Sequence, residues 1–263
     1  MNSSIDKTLL YTLLLASAMC FIGHGSFGII TKEVWTHYFA VFGIGHDIAY
    51  RLMPYLGSVD ILLGLSLLVY PTRAVLAWLV IWGTVTAMLR PLSGEPFAEF
   101  IERAGNFGAP LTLLILCREE GALFRPLFSR LIPPVRVSEE TLNQVASCLR
   151  VVVFLLLAGH GWLNLVEKKG IMGQYTALGL SNPAMVGHFV GIFEIAAACL
   201  LLVRPLRPVI FALLVWKMGT ELFYPHWEAF EWIERGGSYG ALLALWLVLP
   251  QTKLWHRRPL QTT

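Results

Sequence analysis

Charged side chains are scarce in this chain. Lys, Arg, Asp and Glu make up 14 % of the 263 residues and apolar residues make up 56 %. An ordinary soluble domain carries about 25 % charged and about 45 to 50 % apolar residues. This composition excludes a soluble enzyme, a disordered chain, a coiled coil and a disulfide-stapled secreted domain. Together with a mean hydropathy of +0.63, it predicts an integral membrane protein.

Cysteines are few, and basic stripes are missing. The four cysteines, Cys20, Cys117, Cys148 and Cys199, form no C-x-x-C pair, which argues against a zinc ribbon and a thioredoxin-like redox site. Cys117 and Cys148 flank one loop, but that loop is predicted to be cytoplasmic, where disulfides are rarely kept. The net charge is +3 with the cations dispersed, so no nucleic-acid partner is expected.

Eight apolar runs are long enough to cross the bilayer, which takes roughly 20 residues, alone or with an interfacial extension. They lie near 9–31, 53–70, 74–89, 96–117, 148–166, 184–203, 208–224 and 229–250. Because the runs are continuously apolar, helices are favoured over a β-barrel. We therefore predict an all-α polytopic integral membrane protein, with eight transmembrane helices arranged as two tandem four-helix bundles.

The eight runs contain the same four-span unit twice. Gly23-His24-Gly25 recurs as Gly159-His160-Gly161 at an offset of 136 residues. Asp60 aligns with Glu194 at an offset of 134, and Glu102-Arg103 aligns with Glu234-Arg235 at an offset of 132. We predict a first half at 1–117, a cytoplasmic linker at 118–147, a second half at 148–250 and a cytoplasmic tail at 251–263. With an even number of spans each, the halves should be related by an axis along the membrane normal.

The Lys and Arg residues of the loops predict the orientation. Twelve lie on the N-terminal side of the spans and seven on the other side, so both termini are expected to be cytoplasmic and the protein to reside in the inner (plasma) membrane. The first run could resemble a cleavable signal peptide. It recurs within the chain at 148–166, so it is interpreted as a retained span.

Ionisable side chains inside spans cost roughly 2.5 to 3.5 kcal/mol each and therefore mark candidate sites. Most belong to the second half, within or just outside its spans: His160, His188, Glu194, Lys217, Glu221, His226, Glu234 and Arg235. The first half keeps His24 and Asp60. At the places of Lys217 and Glu221 it has Gly83 and Ala87. We therefore expect an outward-facing polar cavity in the second half.

Each of these residues has a chemical and a structural interpretation. Lys217 and Glu221 are spaced i, i+4 and could form a structural ion pair. Glu194 could carry a proton, or it could pair with Lys217 of the next helix. We predict Glu194, Glu221 and Lys217 as catalytic groups and the remaining members of the set, with His24 and Asp60, as ligand-binding groups.

No metal site and no haem site are predicted. The histidines that lie between glycines are interpreted as hydrogen-bonded residues in tight helix contacts. The second half contains no H-x-x-x-H or E-x-x-H spacing that would suggest metal ligands. Haem ligation by facing histidines is not favoured, because the first half offers no obvious second histidine beside His24. The cofactor is unknown, with a quinone as one candidate.

The second half resembles a DoxX-like four-helix unit. The residues that carry the resemblance are Gly159-His160-Gly161, Lys168, Tyr175, Leu178-Gly179-Leu180, Glu194, Arg204, Arg207 and Glu234. The first half is similar in span layout and keeps Lys32, Gly43 and an acid at Asp60, but its outer loop is longer. The resemblance implies a membrane bundle associated with redox systems, such as a thiosulfate–quinone oxidoreductase subunit or a membrane partner of thiol and superoxide defence enzymes.

Three functions are consistent with the sequence. The first is a redox-linked membrane component that binds a quinone-like or other small apolar ligand and takes electrons from a partner protein, since the chain has no flavin, haem or iron–sulfur motif; Glu194→Gln should then abolish ligand binding. The second is a transporter or lipid-handling protein, although helix breaks at mid-membrane are not expected. The third is a non-catalytic scaffold for a partner enzyme.

Overall fold

The protein is helical. The computed structural model describes residues 3–118, 127–131, 137–221 and 229–249. Apart from one isolated bridge between Thr72 and Arg130, every regular element within these ranges is a helix. The prediction of an all-α fold is thereby confirmed.

The first half begins with a long helix and ends with a divided one. Its helices are α1 (Ser3–Ile30), α2 (Thr36–Ala40), α3 (His46–Val69), α4 (Arg73–Leu92), α5 (Ala98–Glu102) and α6 (Ala104–Leu116), with a 3-10 turn at Glu33–Trp35 before α2. The Thr72 hydroxyl accepts a hydrogen bond from the Val75 amide at 3.3 Å and so caps the start of α4.

The second half follows the same order. Its helices are α7 (Glu139–Leu165), α8 (Lys169–Ala177), α9 (Pro183–Val203), α10 (Arg207–Glu221), α11 (Ala229–Glu234) and α12 (Gly236–Val248). Ser138 caps α7, and Asn182 caps α9 ahead of Pro183 in its first turn. These caps satisfy amide groups that the first helical turn leaves without partners.

Five helices are long and apolar enough to cross a membrane. They are α1 from Lys7 onward, α3, α4, α7 and α9. Large apolar side chains cover their outer faces, for example Val69 on α3 at 74 % exposure and Val203 on α9 at 81 %. An apolar surface of this extent is unfavourable in water. The fold is therefore that of a membrane helical protein.

The fourth and eighth apolar runs each form two helices in place of one continuous helix. Arg103 separates α5 from α6, and Arg235 separates α11 from α12. Both arginines leave the helical conformation, with φ/ψ of −89°/15° and −80°/6°. At these breaks their side chains meet carboxylates, as described below.

The two halves share one hydrophobic core instead of burying one each. Helix α1 packs against α3 of its own half and against α11 and α12 of the other half, while α7 packs against α9, α5 and α6. Buried leucines of both halves, including Leu13, Leu113, Leu156 and Leu242, belong to one cluster. Helices α6 and α12 touch through Gly105, where a Cβ would lie 2.8 Å from the Gly237 carbonyl carbon.

Candidate functional site

A cavity of about 280 Å³ lies in the first half, between α1, α3, α4 and the segment 35–44. Most of its wall is apolar or aromatic: Trp35, Tyr38, Phe39, Phe42, Ile44, Leu52, Met53, Leu56 and Leu89. Phe42, Leu52 and Leu56 are also exposed at the protein surface. The cavity therefore opens onto an apolar surface.

Polar groups also line the cavity. His24 and Asp60 line it together with Thr86 and Asn106. His24 Nε2 lies 4.0 Å from Asp60 Oδ2, and Asp60 is 3 % exposed. Arg90 and Arg103 also line it, so a ligand in the cavity would meet hydrogen-bond donors and acceptors as well as hydrocarbon.

His24 connects the cavity to the second half. Its Nδ1 lies 3.0 Å from Glu234 Oε1 of α11. Its ring stacks on Trp35, with ring centroids 4.5 Å apart. Held between a carboxylate on each side and an indole face, the imidazole has a fixed orientation toward the cavity. The predicted ligand-binding residues His24, Asp60 and Glu234 are therefore brought together.

The sequence predicted the ligand cavity in the second half, whereas this cavity belongs to the first. The difference follows from side-chain size. Ala87 lines the cavity, and the second half has Glu221 at the equivalent place. Glu221 is buried, and its Oε2 lies 3.0 Å from Arg235 Nε. In the first half a methyl group replaces this ion-paired side chain, which leaves space.

A second polar cluster, in the second half, is centred on Glu194. This carboxylate is fully buried. It lies 2.5 Å from His160 Nδ1, accepts a hydrogen bond from Trp216 Nε1 at 3.1 Å, and lies 3.8 Å from Lys217 Nζ. Of the two interpretations of Glu194, the ion pair with Lys217 of the next helix is the one present. Lys217 and Glu221 do not pair with each other, because each faces a different partner.

Asn164 and Tyr175 extend this cluster, and sequence reasoning gave neither of them a place in the site. The Tyr175 hydroxyl donates to Asn164 Oδ1 at 2.7 Å, and Asn164 Nδ2 donates to the His160 carbonyl at 3.0 Å. The spacing of Asn164 four residues after His160 was a usable signal, since i, i+4 residues share a helix face. The resemblance had named Tyr175, but without a role.

Ion pairs join the two halves around the helix breaks. Arg235 Nη1 lies 3.2 Å from Glu102 Oε1, and Arg103 Nη1 lies 2.9 Å from Glu102 Oε2. Further out, Lys32 Nζ pairs with Glu231 Oε1 at 3.0 Å, and Lys168 pairs with Glu99. Each of these two lysines reaches a carboxylate of the opposite half, so the connections are reciprocal.

Two predicted site residues have no place in the cavity, in the Glu194 cluster or in the ion pairs around the helix breaks. His188 is half exposed, and its Nε2 lies 3.2 Å from Glu167 Oε1. This is a surface contact, of the kind that contributes little to stability. His226 lies outside the described residues.

A short segment covers the cavity. It runs between two residues with positive φ, Thr31 at 60° and Gly43 at 72°. The Tyr38 hydroxyl donates to Glu95 Oε1 at 2.5 Å, and the Arg90 guanidinium lies 5.2 Å from the centre of the Tyr38 ring. Burial raises the pKa of the Tyr38 phenol and the hydrogen bond to Glu95 adds to this, while Arg90 opposes it. Tyr38 is thus held in its neutral form as the donor.

Comparisons with protein-family models, with curated proteins and with solved structures gave no match for this chain. Among the described residues, no three His, Cys, Asp or Glu side chains converge as a metal site would require. The chemistry of the site is therefore inferred from its own geometry.

Proposed function

We propose that this protein binds a small, mostly apolar ligand with oxygen atoms at one end, such as a quinone ring, in the cavity of the first half. The observation that carries the proposal is the cavity itself, about 280 Å³ with mostly apolar walls and with His24 and Asp60 side by side in its lining. Small-molecule sites combine such walls with a few placed polar groups and typically measure about 300 to 1,000 Å³.

The size of the cavity favours a ring over a whole lipid. Its volume is just below the usual range, which leaves room for one aromatic ring. Any tail would leave between Leu52 and Leu56, which both line the cavity and are exposed. His24 and Asn106 would donate hydrogen bonds to ligand oxygens. Asp60 and His24 would hold the proton that a ligand oxygen gains or loses.

Four further features belong to the same proposal: eight membrane spans, a tandem duplication, a DoxX-like family relationship and both termini in the cytoplasm. Repeated contacts support the duplication: the backbone of Gly23 lies against Glu234, and that of Gly159 lies against Glu102. The Lys32–Glu231 and Lys168–Glu99 pairs repeat in the same way. A redox role, with electrons supplied by a partner protein in the inner membrane, extends the proposal to the ligand's chemistry.

One observation favours transport as the second candidate. The divided helices, α5 with α6 and α11 with α12, lie at equivalent places in the two halves. Interrupted helices at matching positions of a duplicated chain are a feature of transporter binding sites. Uptake of a labelled solute into proteoliposomes separates this candidate from ligand binding without transport.

A titration with a short-chain benzoquinone, followed by quenching of tryptophan fluorescence, tests the proposal. Trp35 and Trp82 line the cavity, so saturable quenching is expected. Ala87→Phe should fill the space and weaken binding at least tenfold, or about 1.4 kcal/mol. Val85→Phe, on the exposed side of the same helix, is the control and should bind as the wild type does.

The polar lining of the cavity is tested by a second pair of variants. Asp60→Asn keeps the shape and removes the charge, and it should weaken binding. Asp47→Asn makes the same change at an exposed position of the same helix, so binding should not change. Quenching that does not saturate, or equal affinity in wild type and Ala87→Phe, would contradict the proposal.

A further inference from the structure

A second concave surface lies at the opposite end of α1 from the cavity. It is a groove of about 470 Å³ between α1 and α3, lined by Leu10, Tyr11, Leu14, Leu15, Leu67, Leu68, Pro71, Arg130 and Leu131. Tyr11, Leu15 and Leu68 are at least half exposed, while Leu10 and Leu67 are buried. The groove is therefore open to its surroundings and has an apolar floor that continues into the core.

Arg130 is the one charged residue in the lining of this groove. Its position is fixed by the backbone: the segment 127–131 is joined to the turn between α3 and α4 by the Leu131 amide, which donates to the Pro71 carbonyl at 2.8 Å. The bridge between Thr72 and Arg130 adds a second connection. The exposed Arg130 side chain is thus presented by an anchored segment beside an apolar groove.

The charge of Arg130 is not neutralised by the protein in the described part of the chain, where no carboxylate lies within 4.0 Å of its guanidinium. Its guanidinium lies 5.8 Å from the centre of the Tyr70 ring. Other arginines at this end behave differently: Arg73 donates to the Cys117 carbonyl at 2.8 Å, and Arg207 donates to the Leu249 carbonyl at 2.9 Å. Arg130 is therefore available to an external anion.

We propose that the groove binds one anionic phospholipid, with an acyl chain along Leu14 and Leu67 and the phosphate at Arg130. Charge complementarity selects the headgroup, because guanidinium forms strong charge-assisted hydrogen bonds with phosphate oxygens. Apolar contacts along α1 and α3 account for the binding of the acyl chain. The proposal rests on the membrane location of the helices and is independent of the ligand in the cavity.

Native mass spectrometry tests the proposal, with protein equilibrated in micelles that contain phosphatidylglycerol and phosphatidylcholine of identical acyl chains. The wild type should retain one phosphatidylglycerol in preference to phosphatidylcholine. Arg130→Gln should reduce that preference about fivefold, the effect of one cation at an anionic lipid surface. Arg204→Gln removes an exposed cation that follows α9 in the second half and should leave the preference unchanged.

The groove is tested separately from the charge. Leu68→Trp places a large side chain in the groove and should reduce retention of the lipid, whereas Leu65→Trp, exposed on the same helix and outside the lining, should not. Equal retention of the two lipids by the wild type would overturn the proposal. So would an equal loss in Arg204→Gln and Arg130→Gln, or full retention by Leu68→Trp. Melting temperatures of all variants confirm that they fold.

Discussion

Replacing Glu194 by glutamine tests whether the second polar cluster chiefly stabilises the fold. The carboxylate is fully buried and lies 3.8 Å from Lys217 Nζ, which is itself buried. At that separation two unit charges attract by about 4 kcal/mol at an effective dielectric constant of 20. Loss of one partner of a buried pair costs about 3 to 5 kcal/mol. We therefore expect Glu194→Gln to lower the stability by about that amount.

The two partners should not be equivalent. In Glu194→Gln, the Lys217 ammonium loses the carboxylate beside it. In Lys217→Met, Glu194 still has His160 Nδ1 at 2.5 Å and the Trp216 indole at 3.1 Å. The loss in Lys217→Met should therefore be smaller than the loss in Glu194→Gln. The double variant, which removes both charges, should be more stable than Glu194→Gln alone.

These differences are measured by thermal unfolding in detergent. All variants are heated by the same protocol, and size-exclusion chromatography monitors the protein that remains folded. For a chain of this size, about 1 kcal/mol shifts Tm by about 2 to 4 °C, so Glu194→Gln should unfold roughly 6 to 20 °C below wild type. A Tm within 2 °C of wild type would refute the reasoning, as would a double variant whose loss is the sum of the two single losses.

Two further predictions concern packing and pH. Gly105→Ala places a Cβ 2.8 Å from the Gly237 backbone, so α6 and α12 must move apart. Tm should fall, because this overpacking costs about 1 to 3 kcal/mol. Gly173→Ala, where the added Cβ meets open space, should not lower Tm. The raised pKa of Tyr38 means that its contribution to stability is complete below about pH 10, the value of an unfolded tyrosine, and falls above it. Between about pH 10 and 11, the Tm of Tyr38→Phe should therefore fall less than the Tm of the wild type. Parallel curves of Tm against pH would contradict this.

Much of the fold followed from hydropathy, because it depends on a property that each segment carries by itself. Long apolar runs predict spans wherever they occur, and α3 and α9 bear this out. The ion pairs at the divisions did not all follow, because Arg235 pairs with carboxylates that other segments bring close. Hydropathy within one run does not report a partner such as Glu102, which contacts both arginines.

The site residues were found more readily than their arrangement. The cost of burying charge singled out Glu194, Lys217 and Asp60, and all three are buried. Their partners could not be read from spacing along one helix: Lys217 faces Glu194 of the preceding helix instead of Glu221. The position of the cavity depends on the small side chain at Ala87, whereas the prediction rested on charged side chains, which are more numerous in the second half.

The cavity of the first half is proposed to hold a small, mostly apolar ligand. Photolabelling with a diazirine-bearing short-chain benzoquinone, followed by peptide mapping, tests it most directly. Label should be incorporated between Trp35 and Leu56, residues that line the cavity, and should be suppressed by Ala87→Phe but not by Val85→Phe. Label confined to the second half, or equal labelling of the two variants, would contradict it.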